Sequence, residues 1–317
     1  MKSYTLAAAL GLLFHCASAA PSATTSGIRS IYAFKDVLKS NTTALKTSGF
    51  NSIIMFGVGV IDNGDIMYYS NTPGSSDVLI ASNGSYVGGS ALADKVLSFK
   101  TGTTGINRVE ISMNAQHIAD LVKTPGTGSA TRLYRNFAAL KTAWSLDAVN
   151  NDDEAIYDVS STVAFAKMLG VIGYNYTTAP YTNQNFWITV KKQLGTLQDR
   201  TYLQCYDGGA SNAPKNWEIA LGMPVIPLVW VTNDSKPDQS TTSAQAQTKF
   251  AGWNTPGVLA GGGYWNDFDI EKLGSSYIAP SENLSPDCCR ARASIVQRTF
   301  LANVQLKHES GLIILEE

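Results

Sequence analysis

Strand-like and helix-like segments alternate about eight times between residues 29 and 265, and no other feature of the chain constrains its fold as much. The strand-like runs are Arg29–Ala33, Ile53–Val58, Arg108–Met113, an apolar approach at 143–146 entering an acidic burst, Val171–Tyr176, Thr201–Tyr206, Pro224–Trp230 and Gly257–Trp265. Helical spacing occupies 35–46, 88–99, 132–141, 158–169, 185–194, a short stretch ending at 217–221, and 243–253. Asp62-Asn63-Gly64-Asp65 is a turn signal, and the residues from there to about 85 read as an elaborated loop with short strands of its own. Such alternation predicts a parallel sheet with helical crossovers. Eight units over roughly 240 residues favour closure into a (β/α)8 barrel over an open doubly wound sheet. No nucleotide fingerprint opens any of the helices, which also argues against the open sheet.

The ends of the chain read differently. Met1-Lys2, the apolar run Leu6–Phe14 and the small residues Ala17-Ser18-Ala19 predict a signal peptide over residues 1–19, too short to span a bilayer. Residues 20–317 are then a single secreted domain. From Ser281, a loop with Pro and Cys, an amphipathic helix near 291–304 and the apolar tail 312–315 are expected to cover the barrel. Sequons at Asn41, Asn83, Asn175, Asn233 and Asn283 point to a glycoprotein, with Asn175 the weakest because it falls at a predicted strand end. Loss of the leader removes Cys16 and leaves Cys205, Cys288 and Cys289, enough for one disulfide and one free thiol.

Charge narrows the partners. The 24 basic and 25 acidic residues nearly balance, without a basic cluster, so neither nucleic acid nor an anionic membrane is an expected partner. A neutral or weakly cationic substrate is expected, acted on by a monomer without a cofactor or metal.

The densest chemistry lies in Asp147, Asn150, Asp152 and Glu154, spaced D-x-x-N-x-D-x-E. In an extended strand Asn150, Asp152 and Glu154 share one face and Asp153 points away. Two acids on one face are costly to bury, and the adjacent carboxylate favours a protonated Glu154 as proton donor. The plain alternative is an acidic turn that caps the following helix. Barrels gather their chemistry at the C-terminal ends of the strands. Besides the acids, those ends carry Tyr174-Asn175-Tyr176, Gln204-Cys205-Tyr206-Asp207, Trp230, and Tyr264-Trp265 followed by Asn266-Asp267-Phe268-Asp269.

The acidic spacing resembles the D-x-x-D-x-D-x-E signature on the fourth barrel strand of glycoside hydrolase family 18, the chitinase-like TIM barrels, with Asn150 in place of an aspartate. Tyr206-Asp207 and Trp265 stand where that family has a polar–aromatic pair on strand six and a tryptophan floor on strand eight. Ser112-Met113-Asn114-Ala115 departs from the family's Ser-x-Gly-Gly, so the chain resembles a divergent, fungal-type secreted member. The resemblance implies retaining, substrate-assisted cleavage at an N-acetylhexosamine, in which the acetamido oxygen replaces a second carboxylate. Glu154 would protonate the leaving oxygen, Asp152 and Tyr206 would hold the acetamido group, and Trp265, Asn150, Asp207 and Asp147 would bind substrate. Asn150 would still hydrogen-bond Asp152. Chitin oligomers, the N-glycan core and a galactosamine wall polymer all suit such a site.

Other enzyme classes lack their residues. Only His117 and His308 remain outside the leader, and neither G-x-S-x-G nor H-E-x-x-H occurs. The competing reading is a catalytically silent chitinase-like lectin or inhibitor on the same barrel. Retention of Glu154 favours the enzyme.

Overall fold

A computed structural model describes residues 27–254 and 259–274. In chain order the elements are β1 (Ile28–Ala33), α1 (Thr42–Thr47), β2 (Ser52–Val60), β3 (Ile66–Tyr68), β4 (Val78–Ser82), β5 (Ser85–Tyr86), α2 (Ser90–Leu97), β6 (Arg108–Met113), α3 (Ile118–Lys123) and α4 (Arg132–Trp144). There follow β7 (Ala148–Asn151), α5 (Val159–Ile172), β8 (Asn175–Thr178), α6 (Gln184–Leu194), β9 (Gln198–Gln204), α7 (Pro214–Leu221), β10 (Ile226–Trp230), α8 (Ser243–Trp253), β11 (Gly261–Trp265) and α9 (Asp267–Lys272). Strands β1, β2, β6, β7, β8, β9, β10 and β11 pair in parallel, each with the next, and β11 pairs back onto β1. The result is a closed (β/α)8 TIM barrel. The remaining strands β3, β4 and β5 extend β2 as an antiparallel meander, the elaborated loop expected after Asp65.

Alternation along each strand separates two interiors. On β6, Val109, Ile111 and Met113 join the apolar layer between barrel and helices, whereas Arg108, Glu110 and Ser112 make polar bonds inside the barrel. On β9 and just after it, Leu203 and Cys205 face the helices, and Tyr202 lies inside with Tyr32, Ile54, Tyr206, Ile226 and Leu228. The barrel centre is therefore aromatic near its C-terminal mouth and polar below.

Several elements depart from their expected bounds. Helix α4 continues to Trp144, which is fully buried, and ends where Ser145 turns left-handed at φ 49°, so residues 143–146 are not a strand approach. Helix α5 includes Val171 and Ile172 and stops at Gly173, whose φ of 99° suits a residue without a Cβ. Strand β8 then begins only at Asn175, which puts Tyr174-Asn175-Tyr176 at the N-terminal end of the barrel, away from the mouth. Between 35 and 46 the chain makes turns closed by Asp36, and only the six residues of α1, capped by the Asn41 side chain, are helical. Of the sequons, Asn41, Asn83 and Asn175 are exposed, while Asn233 is buried with its amide bonded to the Val231 carbonyl and to Ser240. Residues 1–19, where a signal peptide was expected, Asn283, Cys288, Cys289, the segments at 291–304 and 312–315, and His308 lie outside the described residues.

Candidate active site

At the mouth of the barrel the acidic burst bends away from the strand. Asp152 continues the β7 ladder, its N–H donating to the Met113 carbonyl at 2.9 Å. Asp153 points the other way, as alternation requires, and its buried carboxylate accepts the N–H groups of Ala155, Ile156 and Tyr157 at 3.0, 2.8 and 2.7 Å. That turn carries Glu154 at the exposed rim. The cap of the following helix is a different acid, Asp158, which accepts from Ser160 and Ser161.

Gln204 connects Asp152 and Glu154. Its Nε2 donates to Asp152 Oδ1 at 3.0 Å, reaches Glu154 Oε1 at 3.5 Å, and also bonds the Ala179 carbonyl at 3.0 Å. Beside them lies a cleft of about 430 Å³ lined by Tyr32, Phe56, Tyr181, Tyr206, Trp230 and Trp265, with Asp207 and Gly208 at its edge. The Trp265 ring rests among Phe56, Phe34 and Tyr32 at centroid distances of 4.8, 5.3 and 5.4 Å. The Trp265–Asn266 and Phe56–Gly57 peptide bonds are cis. Trp230 gives its indole N–H to Asp269 at 2.8 Å and meets Tyr206 edge-on, so only its apolar surface faces the cleft. A second cavity of about 610 Å³ lies on the β2 and β6 side and shares Phe56, Asp152 and Glu154 with the first. The carboxylates therefore stand where two cavities meet.

Electrostatics separate the two acids by depth. Removal from water, then the charges of Glu154 and Asp153, raise the Asp152 pKa to about 8. Burial thus drives Asp152, the inner acid, toward the protonated form. The Tyr206 hydroxyl is likewise pushed well above its ordinary value by burial and by Asp152 and Glu154, so it remains a hydrogen-bond donor.

The structure brings Asp152, Glu154, Tyr206, Asp207 and Trp265 together around one cleft. Asp207 is a rim residue, ion-paired with Lys236, and its N–H donates to Gln239. Asn150 lies one layer deeper without exposed surface, and its amide bonds go to Tyr32, Ser112 and Thr177. The hydrogen bond expected from Asn150 to Asp152 is replaced by the one from Gln204. Asp147 is not at the cleft. It precedes β7 at the opposite end of the barrel, where it accepts the Val109 N–H at 2.8 Å and pairs with Lys100 at 2.9 Å. Tyr32, Phe56 and Tyr181 were not singled out by sequence, while Gln204 and Trp230 were placed at strand ends without a role. Gln204 precedes Tyr206 by two residues and so shares its face.

His117 starts α3 and lines neither cavity. Among the described residues no cluster of three or more His, Cys, Asp or Glu could hold a metal, and no helix is long and apolar enough to cross a membrane.

No protein-family model and no curated protein sequence matches the chain. Solved structures do. The Legionella pneumophila ChiA C-terminal domain superposes with a TM-score of 0.55 at 11% identity over 81% of this chain and 97% of its own. Ostrinia furnacalis Group IV chitinase in complex with allosamidin gives 0.56 at 10% identity over 80% and 97%. Active domain 2 of the thermostable chitinase from Pyrococcus furiosus, complexed with chito-oligosaccharides, gives 0.54 at 11% over 91% and 97%. At such identities the likeness is one of fold: the chain has the (β/α)8 barrel of these chitinases.

Proposed function

We propose that this protein is a secreted glycoside hydrolase that cleaves bonds to N-acetylhexosamine in chitin-like or N-glycan-core glycans, with retention. The observation that carries the reading is the pair Asp152 and Glu154, bridged by Gln204, above an aromatic cleft floored by Trp265. A sugar ring offers an apolar C–H face to Trp265, and Trp230 adds a second apolar wall. Resemblance to chitinases bound to allosamidin and to chito-oligosaccharides supports an amino-sugar ligand. The leader-like pattern of residues 1–19 and the exposed sequons support export and glycosylation.

In this reading the acetamido oxygen of the bound sugar attacks its own anomeric carbon as the bond to the leaving oxygen breaks. Glu154, at the junction of the two cavities, gives that oxygen its proton. Asp152 and Tyr206 hold the acetamido group in line with the anomeric carbon. Glu154, now ionised, takes a proton from the water that opens it. No carboxylate across the cleft is needed, which fits Asp207 being tied to Lys236.

The test is hydrolysis of soluble N-acetylglucosamine oligomers by the wild type and Glu154→Gln, with products followed by mass spectrometry. Turnover in the wild type that falls by on the order of a hundredfold or more in the variant is expected. Binding by both without turnover by either would favour the silent lectin.

A further inference from the structure

Below the cleft the barrel encloses a charge that this chemistry does not use. Glu110 of β6 has no exposed surface. Its Oε1 accepts from the Arg108 guanidinium at 2.6 Å and from the Tyr202 hydroxyl at 2.7 Å, and its Oε2 accepts from the Thr177 hydroxyl at 2.6 Å. Arg200 adds a second cation 3.9 Å away, and Arg108 also holds Asp199 through its other two nitrogens. A carboxylate paired in this way is ionised, and an ionised carboxylate only accepts hydrogen bonds.

This sets a direction through the interior. Thr177 has one hydroxyl proton and gives it to Glu110. Toward position 150 its oxygen then offers only a lone pair, so residue 150 must be the donor. Asn150 meets that demand, with Nδ2 donating to Thr177 at 2.9 Å. Its Oδ1 is thereby turned to receive the hydroxyls of Tyr32 at 3.0 Å and Ser112 at 2.9 Å. An ionised aspartate here would set an acceptor against an oxygen with no proton to give, one hydroxyl away from another buried carboxylate. It would have to keep a proton to fit.

Two arms from Glu110 end on the same side chain. One runs through Thr177 and Asn150 to the Tyr32 hydroxyl. The other runs through Tyr202, whose ring meets that of Tyr32 edge-on at 6.3 Å. Tyr32 lines the cleft beside Trp265. We propose that Glu110 is a positioning residue of the cleft: through Thr177 and Tyr202 it fixes Asn150 and Tyr32, and it is the reason that position 150 carries an amide and not an acid. The catalytic consequence rests on the glycosidase reading; the coupling between positions 110 and 150 does not.

The titratable groups around this interior are Tyr32 from β1, Glu110 from β6, Asp152 after β7, and Tyr202 and Tyr206 from β9 and its end. Arg108 and Arg200 stand behind Glu110, and β8 contributes the Thr177 hydroxyl. The experiment is a double-mutant cycle of wild type, Asn150→Asp, Glu110→Gln and the pair, with unfolding midpoints from pH 5 to 8 and kcat and KM on N-acetylglucosamine oligomers. Glu110→Gln leaves Arg108 paired with Asp199, and the new amide can donate to Thr177, freeing its proton for an ionised Asp at 150. The expected result is that Asn150→Asp falls behind the wild type as pH rises, by on the order of 5 °C at pH 8. Its kcat drops by on the order of tenfold at pH 8 and less at pH 5. In the Glu110→Gln background most of both losses disappears.

Equal penalties in the two backgrounds would overturn the assignment. Should Glu110→Gln not fold, the single pair still decides, because parallel pH curves for the wild type and Asn150→Asp overturn it as well. Coupled stabilities without turnover in the wild type would leave Glu110 as the anchor of Asn150 and remove the glycosidase reading instead.

Discussion

Asp152 and Glu154 differ by two positions in sequence, yet Asp152 lies deeper while Glu154 stands exposed at the rim. Asp152, its pKa raised to about 8, keeps in the folded state a proton that the unfolded chain releases near pH 4. Rising pH therefore favours unfolding throughout that window, and the effect levels off above the folded pKa. Asp152→Asn carries no such proton and still accepts from Gln204. Its stability relative to the wild type should improve between pH 5 and pH 8 by about 1–3 kcal/mol, a discounted figure because Asp152 borders the open cleft. Urea unfolding at both pH values checks this; an unchanged difference would mean that Asp152 is not the buried proton carrier. At this scale the sequence was legible where residue type and alternation sufficed: the acids, Tyr206 and Trp265 meet at one cleft. It was not legible for Asp147, whose place depends on where β7 begins. Nor was it for Tyr32, an aromatic in an apolar run with no local mark of facing the cleft.

At the scale of elements, strand ends were harder to read than strands. Helices α4 and α5 finish in apolar residues, Ala143-Trp144 and Val171-Ile172, that also suit a strand, and the left-handed residues Ser145 and Gly173 mark the true stops. The turn after β7 illustrates what such an end contributes. Asp153 holds three backbone N–H groups, and Glu154 rides on the loop so formed. Asp153→Ala should cost about 1–3 kcal/mol and lower kcat more than it raises KM, since Glu154 loses its fixed approach. Asp158→Ala, which removes the cap of α5, is the control: a loss of about 1 kcal/mol is expected with kcat little changed. If the two variants reduce kcat alike, the Asp153 turn has no special hold on Glu154.

For the whole molecule the eightfold rhythm was enough to foresee a barrel, but not how the last strand closes on the first. Glycines inside a strand pattern signal a close approach of neighbours, and β11 begins with Gly261-Gly262-Gly263. Gly263 is in register with Ser30 of β1 and Leu228 of β10, so it sits at the seam. A Cβ there would lie 2.1 Å from Ser30 Oγ, 2.6 Å from Leu228 Cδ2 and 3.1 Å from the Ser30 carbonyl oxygen. Two of those atoms are side-chain atoms within a tight interior, and the third is backbone that cannot turn aside. Gly263→Ala should therefore destabilise the barrel by about 1–3 kcal/mol through overpacking. Ser30→Ala removes the nearest atom, so the double variant should recover part of the loss, a non-additivity expected only of residues in contact. Because Trp265 follows two residues later on β11, strain at the seam reaches the floor of the cleft. Denaturation midpoints with tryptophan fluorescence in the four proteins test this; additive effects would mean that closure does not depend on the space Gly263 leaves open.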